Sequence, residues 1–272
     1  MTYSMRSNSL SPVTVGTSGI LTTRLGLGTS RLHHMRGRAR SSLLAIAIEL
    51  GVRHFDTAPS YGDGLAETAI GKQLAGHRSR IVIASKIGVR PAAIGSRLVF
   101  LGRVASVCGA VERRLRHEER RSAIDTSYIR QSVEQSLRRL KTDYLDLVLL
   151  HEPSPSRLQN PDEVLLELRR HVEAGRVRSF GIAGPFPELV ATARRMPKLC
   201  DIVQTGEAEW TTELVPHITY GAIGGSAQSF LGSGPQVLNA RQRLDRALAR
   251  RPCGVVIVST TRPQHLSELV DA

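Results

Sequence analysis

Eight short strand-like runs recur along the chain, and they alternate with stretches of helical period. The strand-like runs are Leu25–Gly28, His54–Thr57, Ile81–Ser85, Leu145–Leu150, Val177–Ile182, Ile202–Thr205, His217–Tyr220 and Val255–Ser259. Between them lie the helical segments. Ser42–Leu50 closes at Gly51, which suits the residue after a helix end. A further helix opens near Ala66. Tyr128–Leu140 carries Ile129, Val133, Leu137 and Leu140 on one face, the 3.6-residue period. Pro161–Ala174 has Asn160 to cap it, Pro161 in its first turn and Gly175 just beyond it. Pro187–Arg195, Val237–Arg250 and Pro263–Asp271 complete the set.

Strands alternating with helical crossovers predict an α/β fold, here a (β/α)8 TIM barrel. The rival is a doubly wound sheet, which calls for GxGxxG after its first strand; none follows Leu25–Gly28. The run VTVGTSGILTTRLGLG reads instead as an N-terminal β-hairpin, with Thr17–Gly19 as its turn, leading into the first barrel strand. Its GLGTS end reads as a strand in close packing contact. One segment breaks the rhythm. Gly88–Asp125, after the third strand, is far longer than an ordinary strand-to-helix loop, and reads as an insertion that is either a lid over the barrel mouth or a mobile loop. A length of 272 residues fits one such barrel, residues 1–272, as a single domain.

The chemistry gathers where the apolar runs stop. HFDTAPSYGDGLAETAIG begins as a strand, ends it on Asp56, and places Tyr61 in the loop beyond. Lys86 follows RIVIAS, and His151 follows LDLVLL. In a (β/α)8 barrel these strand ends share one rim, where active sites form. A phenol titrates near 10, and an ammonium about 4 Å away at an effective dielectric near 20 favours its anion by at most about 4 kcal/mol. The expectation is a Tyr61 hydroxyl drawn down toward about 7, with Asp56 holding Lys86 charged and His151 orienting a substrate oxygen. Such a set suits proton transfer at a carbonyl or hydroxyl oxygen during hydride transfer. It does not suit acyl transfer, because no serine or cysteine nucleophile is paired with it.

Composition changes little of this. The net charge is +13, but all except four of the 37 basic residues are arginine, and aromatic residues are not interleaved with the basic runs. That reads as solvated surface charge, and no nucleic-acid partner is expected. Cys108, Cys200 and Cys253 form no CxxC pair, which points to a reducing compartment and no structural zinc. The N-terminus lacks an apolar signal core and no apolar run spans a bilayer, so the expected location is the cytoplasm, away from membranes. Adjacent His33 and His34 have no carboxylate partner for a metal and are expected to pack in a loop.

GVRHFDTAPSYGDGLAETAIGK resembles the first signature of the aldo-keto reductase family, YLDLVLLHEP its fourth-strand motif and GRVRSFGI its fifth-strand approach. SYIRQSVEQSLRRLKTDYLDLVLLHEP is most similar to the bacterial branch of aldose and fucose-type dehydrogenases. The resemblance implies a barrel enzyme that uses a nicotinamide dinucleotide, usually NADP(H) with NAD(H) as the alternative, and needs no metal. It implies Tyr61 as general acid/base, supported by Asp56, Lys86 and His151. It also implies cofactor contacts from Gln204 to the nicotinamide amide, from Tyr220 to the nicotinamide ring, and from Thr260, Thr261, Arg262 and Glu268 toward the adenosine phosphate. Arg262 would favour a 2′-phosphate.

The chain departs from that pattern in places. Ala183-Gly184 stands where many members have Ser-Asn, and Leu269 where others have asparagine. Ending at Ala272, it lacks the C-terminal substrate loop of longer members, so Arg31, His33, His34, the Gly88–Asp125 segment and Trp210 become candidates for contacts with a small carbonyl or hydroxyl substrate. Oxidoreductase activity is the leading expectation. A catalytically weak, cofactor-binding regulatory subunit on the same barrel is the alternative, and binding of nucleic acid through arginine ranks last. Substrate identity, reaction direction and oligomeric state are open.

Overall fold

The computed structural model describes residues 9–91, 123–224 and 238–270. Strands β1 (Pro12–Thr14) and β2 (Leu21–Thr23) form the antiparallel hairpin. Eight parallel strands then close a barrel: β3 (Leu25–Gly28), β4 (His54–Asp56), β5 (Val82–Ile87), β6 (Leu145–His151), β7 (Val177–Ala183), β8 (Val203–Gly206), β9 (Ile218–Tyr220) and β10 (Val255–Val258). Each strand pairs with its neighbour in chain order, and β10 returns to β3. The predicted barrel and hairpin are both present, with the strand ends moved by one or two residues. Most of the expected Gly88–Asp125 insertion lies outside the described residues.

Two apolar layers hold the barrel. Inward side chains, among them Val82, Ala84, Leu147, Leu149, Ile218, Val255 and Ile257, fill its interior, and Val13, Val15 and Ile20 of the hairpin join the same cluster. The hairpin thus serves as a plug. Outward side chains such as Leu27, Phe55, Ile83, Val148 and Val256 pack against Leu43, Ile70, Ile129, Leu168, Leu244 and Leu266 of the surrounding helices. The helices are Gly37–Glu49, Leu65–Gln73, Thr126–Leu140, Pro161–Glu173, Phe186–Arg195, Ala240–Arg250 and Pro263–Val270. Their termini are held locally. Asp125 accepts from Tyr128 N at 2.8 Å, and Asn239 and Gln242 form a capping box. Asn160 occupies the expected cap position, but its side chain makes no cap bond. There Pro161 removes one N–H that would need a partner, and Asp162 and Glu163 face the positive end of the helix. Among the described residues no helix is long and apolar enough to cross a membrane.

The close packing expected at β3 is real. A side chain at Gly26 would strike Ile257 and His54, and one at Gly28 would strike Ser259 and Ile257. His54 takes up the room that Gly26 leaves. It is fully buried, with neither ring nitrogen partnered among the described residues, and burial pushes its pKa down to about 4. The folded protein therefore keeps His54 neutral where the unfolded chain, titrating near 6.5, takes up a proton. Stability supported by the neutral ring is present above about pH 6.5 and is lost as pH falls toward about 4, by about 3 kcal/mol. Urea unfolding of His54→Leu beside the parent at both ends of that window should show the acid loss reduced by about this amount. Equal acid losses in the two proteins would exclude His54 as the cause.

Candidate active site

Barrel register brings the predicted residues to one rim. Asp56 lies opposite Gly28 and Ala84, Lys86 opposite Leu149, His151 opposite Ala183, and Ala183 opposite Gln204. Tyr61 sits in the loop after β4, its N–H bonded to Ala58 O at 3.0 Å. The backbone of Asp56 is pinned from both sides of Thr29, whose N–H and hydroxyl donate to its carbonyl at 3.0 and 2.9 Å.

At the centre is the Lys86 ammonium, 4% exposed. Its Nζ lies 2.7 Å from both Asp56 oxygens, 3.1 Å from Thr57 O and 3.1 Å from the Tyr61 hydroxyl oxygen. An ammonium only donates, so the Tyr61 oxygen accepts from it and the phenol's own hydrogen points elsewhere. The His151 ring stands edge-on to Tyr61, with centroids 6.4 Å apart.

The electrostatics reverse one expectation. Tyr61 is held above the ordinary tyrosine value, not drawn down toward neutrality. Burial of the hydroxyl is the largest cause; Lys86 opposes it, and Asp56 and Glu152 add to it. The ammonium does not act as a lone charge, because Asp56 beside it pushes the phenol the opposite way. For Lys86 itself, burial is the largest single influence and pushes it down, but Asp56 and Tyr61 together outweigh burial and hold it above the ordinary lysine value. The site thus pairs a neutral phenol with a charged ammonium.

These groups line a cavity of about 590 Å³ with Arg31, Glu152, Ala183, Gly184, Gln204, Tyr220 and Ser259. A second cavity of about 440 Å³ is lined by Asn239, Arg241, Thr260, His265, Glu268 and Leu269. The two share Ile223, Val258 and Ser259, so they adjoin as one trough from the ion pair to the last helix. Its donor set suits a dinucleotide. At the barrel end, Gln204 offers an unpartnered buried acceptor, Oε1, and Tyr220 a ring that is 36% exposed. At the far end, the trough meets Thr260, Glu268, Arg241 and His265.

Other expected residues lie outside the two cavities. Thr261 and Arg262 line neither cavity; Arg262 is exposed beside Thr260, whose hydroxyl accepts from its N–H at 3.1 Å. His33 and His34 do not line the cavities; their rings lie 3.8 Å apart, with His33 packed on the loop at Gly62. Trp210 is buried against Phe186 and Val190 beneath the Arg250 guanidinium, away from the trough. Arg31 does line the first cavity.

Three site features escaped sequence reasoning. The first is Glu152, with a left-handed φ of 53°, its N–H bonded to Ala183 O at 2.6 Å. A side chain at Gly184 would come within 3.1 Å of the Glu152 backbone, which accounts for glycine there. The second is Arg157, whose guanidinium donates to the carbonyls of His151 at 3.0 Å, of Glu152 at 2.6 Å, and of Gly88. It ties the exits of β5 and β6 together under His151, and no motif marks it. The third is the 2.7 Å hydrogen bond from Gln204 Nε2 to Asp56 Oδ2, across 148 residues of sequence.

Known proteins resemble this chain in sequence and in fold. Oxidoreductase YdhF of Escherichia coli K12 is 32% identical over 191 residues, covering 68% of this chain and 57% of that protein. Probable aldo-keto reductase 1 of Glycine max is 28% identical over 240 residues, covering 85% of this chain and 62% of that protein. The chain spans about half the length of the curated relatives it matches. Two solved structures share the fold. An aldo-keto reductase from Bacillus halodurans in its holo form has a TM-score of 0.68 at 21% identity, over 96% of this chain and 90% of that one. An aldo-keto reductase from Klebsiella pneumoniae in complex with NADPH has a TM-score of 0.63 at 21% identity, over 95% and 88%. The Aldo/keto reductase family profile matches residues 24–206. That match opens just before the first barrel strand and closes at the end of the sixth, so it takes in the whole wall carrying the buried ion pair, and the chain belongs to the aldo/keto reductase family.

Proposed function

We propose that the protein is an NAD(P)-dependent oxidoreductase that interconverts a carbonyl (an aldehyde, ketone or aldose/lactol) and a hydroxyl, with Tyr61 as general acid/base. The observation that carries this reading is the Lys86 ammonium held between Asp56 and the Tyr61 oxygen, which leaves the phenol hydrogen for a group in the cavity. Bound in the trough, a nicotinamide dinucleotide supplies or accepts the hydride. Gln204 and Tyr220 would hold its nicotinamide end, and Thr260 and Glu268 its adenosine end. Arg241 and His265 line the second cavity, and exposed Arg262 stands two residues beyond Thr260; these cations would favour the phosphorylated cofactor, NADP(H), over NAD(H). The NADPH held by the Klebsiella neighbour supports the same choice.

Tyr61 donates its proton to a carbonyl oxygen while Lys86 stays charged and stabilises the phenolate left behind. His151, at the end of β6, hydrogen-bonds and orients that oxygen. Arg157 fixes the backbone from which His151 projects.

The test is a calorimetric titration with NADPH and with NADH, followed by a panel of aldehydes, ketones and aldoses read by absorbance of the reduced cofactor. Tighter NADPH binding and turnover on at least one carbonyl are expected. Tight binding with no turnover across the panel would favour the regulatory-subunit reading instead. Because Tyr61 is held above its ordinary value, reduction should stay level from about pH 6 to about pH 9, while oxidation, which needs the phenolate, should climb over the same range. A reduction rate halved by about pH 8 would contradict a phenol held in its acid form.

A further inference from the structure

The Gln204 side chain is 1% exposed and faces two different surroundings. Its Nε2 donates to Asp56 Oδ2 at 2.7 Å. Its Oε1 is buried without a hydrogen-bond partner among the described residues, and Gln204 lines the first cavity. A free amide can turn over and exchange its oxygen and nitrogen, because the two ends have nearly the same shape. Here it cannot. A carboxylate oxygen only accepts, so turning the amide would set Oε1 against Asp56 Oδ2, acceptor against acceptor. Lys86 donates to both Asp56 oxygens at 2.7 Å, so both act as acceptors. The ion pair that serves Tyr61 therefore also decides which atom of Gln204 the cavity meets.

We propose that Asp56 is a positioning residue for ligand specificity: it locks Gln204 with the amide oxygen toward the cavity, so that the site selects a ligand bearing a primary carboxamide over one of the same shape that offers no N–H. The inference rests on the nicotinamide dinucleotide reading above and adds the residue that sets the polarity of that end. A buried acceptor that gains a donor is satisfied, and one given a second acceptor or a methyl group is not. The lock also works in reverse. A ligand N–H on Oε1 favours the orientation in which Nε2 holds Asp56, so filling the site and holding the ion pair support each other.

The experiment is calorimetric binding, without turnover, of two oxidised cofactors. One is NADP+; the other is its 3-acetylpyridine analogue, in which a methyl ketone replaces the carboxamide. The parent protein should bind NADP+ roughly tenfold more tightly than the analogue. Gln204→Met, which removes the acceptor, should bring the two within about twofold. The decisive protein is Asp56→Asn/Lys86→Met. A neutral amide at position 56 both donates and accepts, so Gln204 is free to turn, and the preference should fall to within about twofold although no group touching the carboxamide has changed. Asp56→Leu/Lys86→Met, which replaces the pair with apolar side chains and leaves nothing at position 56 to orient the amide, carries the same expectation and serves if the first double variant does not fold. A variant at position 56 that binds both cofactors and keeps the tenfold preference overturns the lock while leaving the nicotinamide reading intact. Equal affinities in the parent also overturn it. A parent that binds neither cofactor overturns the nicotinamide reading, and the lock with it.

Discussion

Tyr61→Phe should lower kcat by about 10²–10⁴-fold on the best substrate of a carbonyl panel, with NADPH affinity changed by less than about twofold. The substitution removes one oxygen and keeps the ring. That oxygen is the atom that accepts from Lys86 at 3.1 Å and whose hydrogen is left for the cavity. Lys86 keeps both Asp56 oxygens and Thr57 O, so the buried pair stays intact and the fold should be unaffected. The loss should therefore appear in kcat and not in melting temperature. Calorimetry of NADPH binding, thermal unfolding and steady-state rates on the same preparation separate these outcomes. Any residual oxidation should also lose its rise with pH, since that rise belongs to the Tyr61 phenol. A variant with full turnover would move the proton's source to His151 or water and end the assignment of Tyr61.

The barrel was legible because its strands are short apolar runs bounded by sharp polar stops, and those stops line one cavity. Asp56, Lys86 and His151 could be read from where LDLVLL-like runs end, and strand pairing then had no freedom except to bring them together. What escaped has a physical reason in each case. The Gln204–Asp56 bond joins residues 148 positions apart, and nothing local to either foretells it. Arg157 acts on backbone carbonyls, which every residue has, so its role leaves no mark in residue type. Trp210 looked like an aromatic for a substrate, but its side chain closes a small cluster with Phe186 and Val190. Tyr61 lies above the ordinary tyrosine value, opposite to what Lys86 alone would do, because burial of its hydroxyl outweighs the ammonium and Asp56 adds to burial; neither is written in the residues around it. The His54–Gly26 fit was half visible: the tight glycine at β3 was expected, its partner was not.

Lys86→Met should destabilise the protein by about 3–5 kcal/mol and abolish turnover, and adding Asp56→Asn should restore much of the stability and none of the activity. Asp56 is 4% exposed and its charge is balanced by Lys86 at 2.7 Å. Removing the ammonium leaves a buried carboxylate with the Gln204 amide as its side-chain donor, and an unpaired buried charge costs more than the pair contributes. Neutralising Asp56 as well removes that charge, so the double variant should recover to within about 1–2 kcal/mol of the parent. In a chain of this size the single variant's loss corresponds to a melting temperature lower by roughly 10 °C. Catalysis does not follow stability back. With methionine at 86 the Tyr61 oxygen has no cation beside it, so the phenolate formed on proton transfer is left in a buried site without a partner. Thermal unfolding and single-turnover rates of the two single variants and the double one close the thermodynamic cycle. A double variant as unstable as Lys86→Met would mean that Lys86 acts by packing and not by charge. Recovered turnover in the double variant would mean that the ion pair is structural and that Tyr61 needs no ammonium.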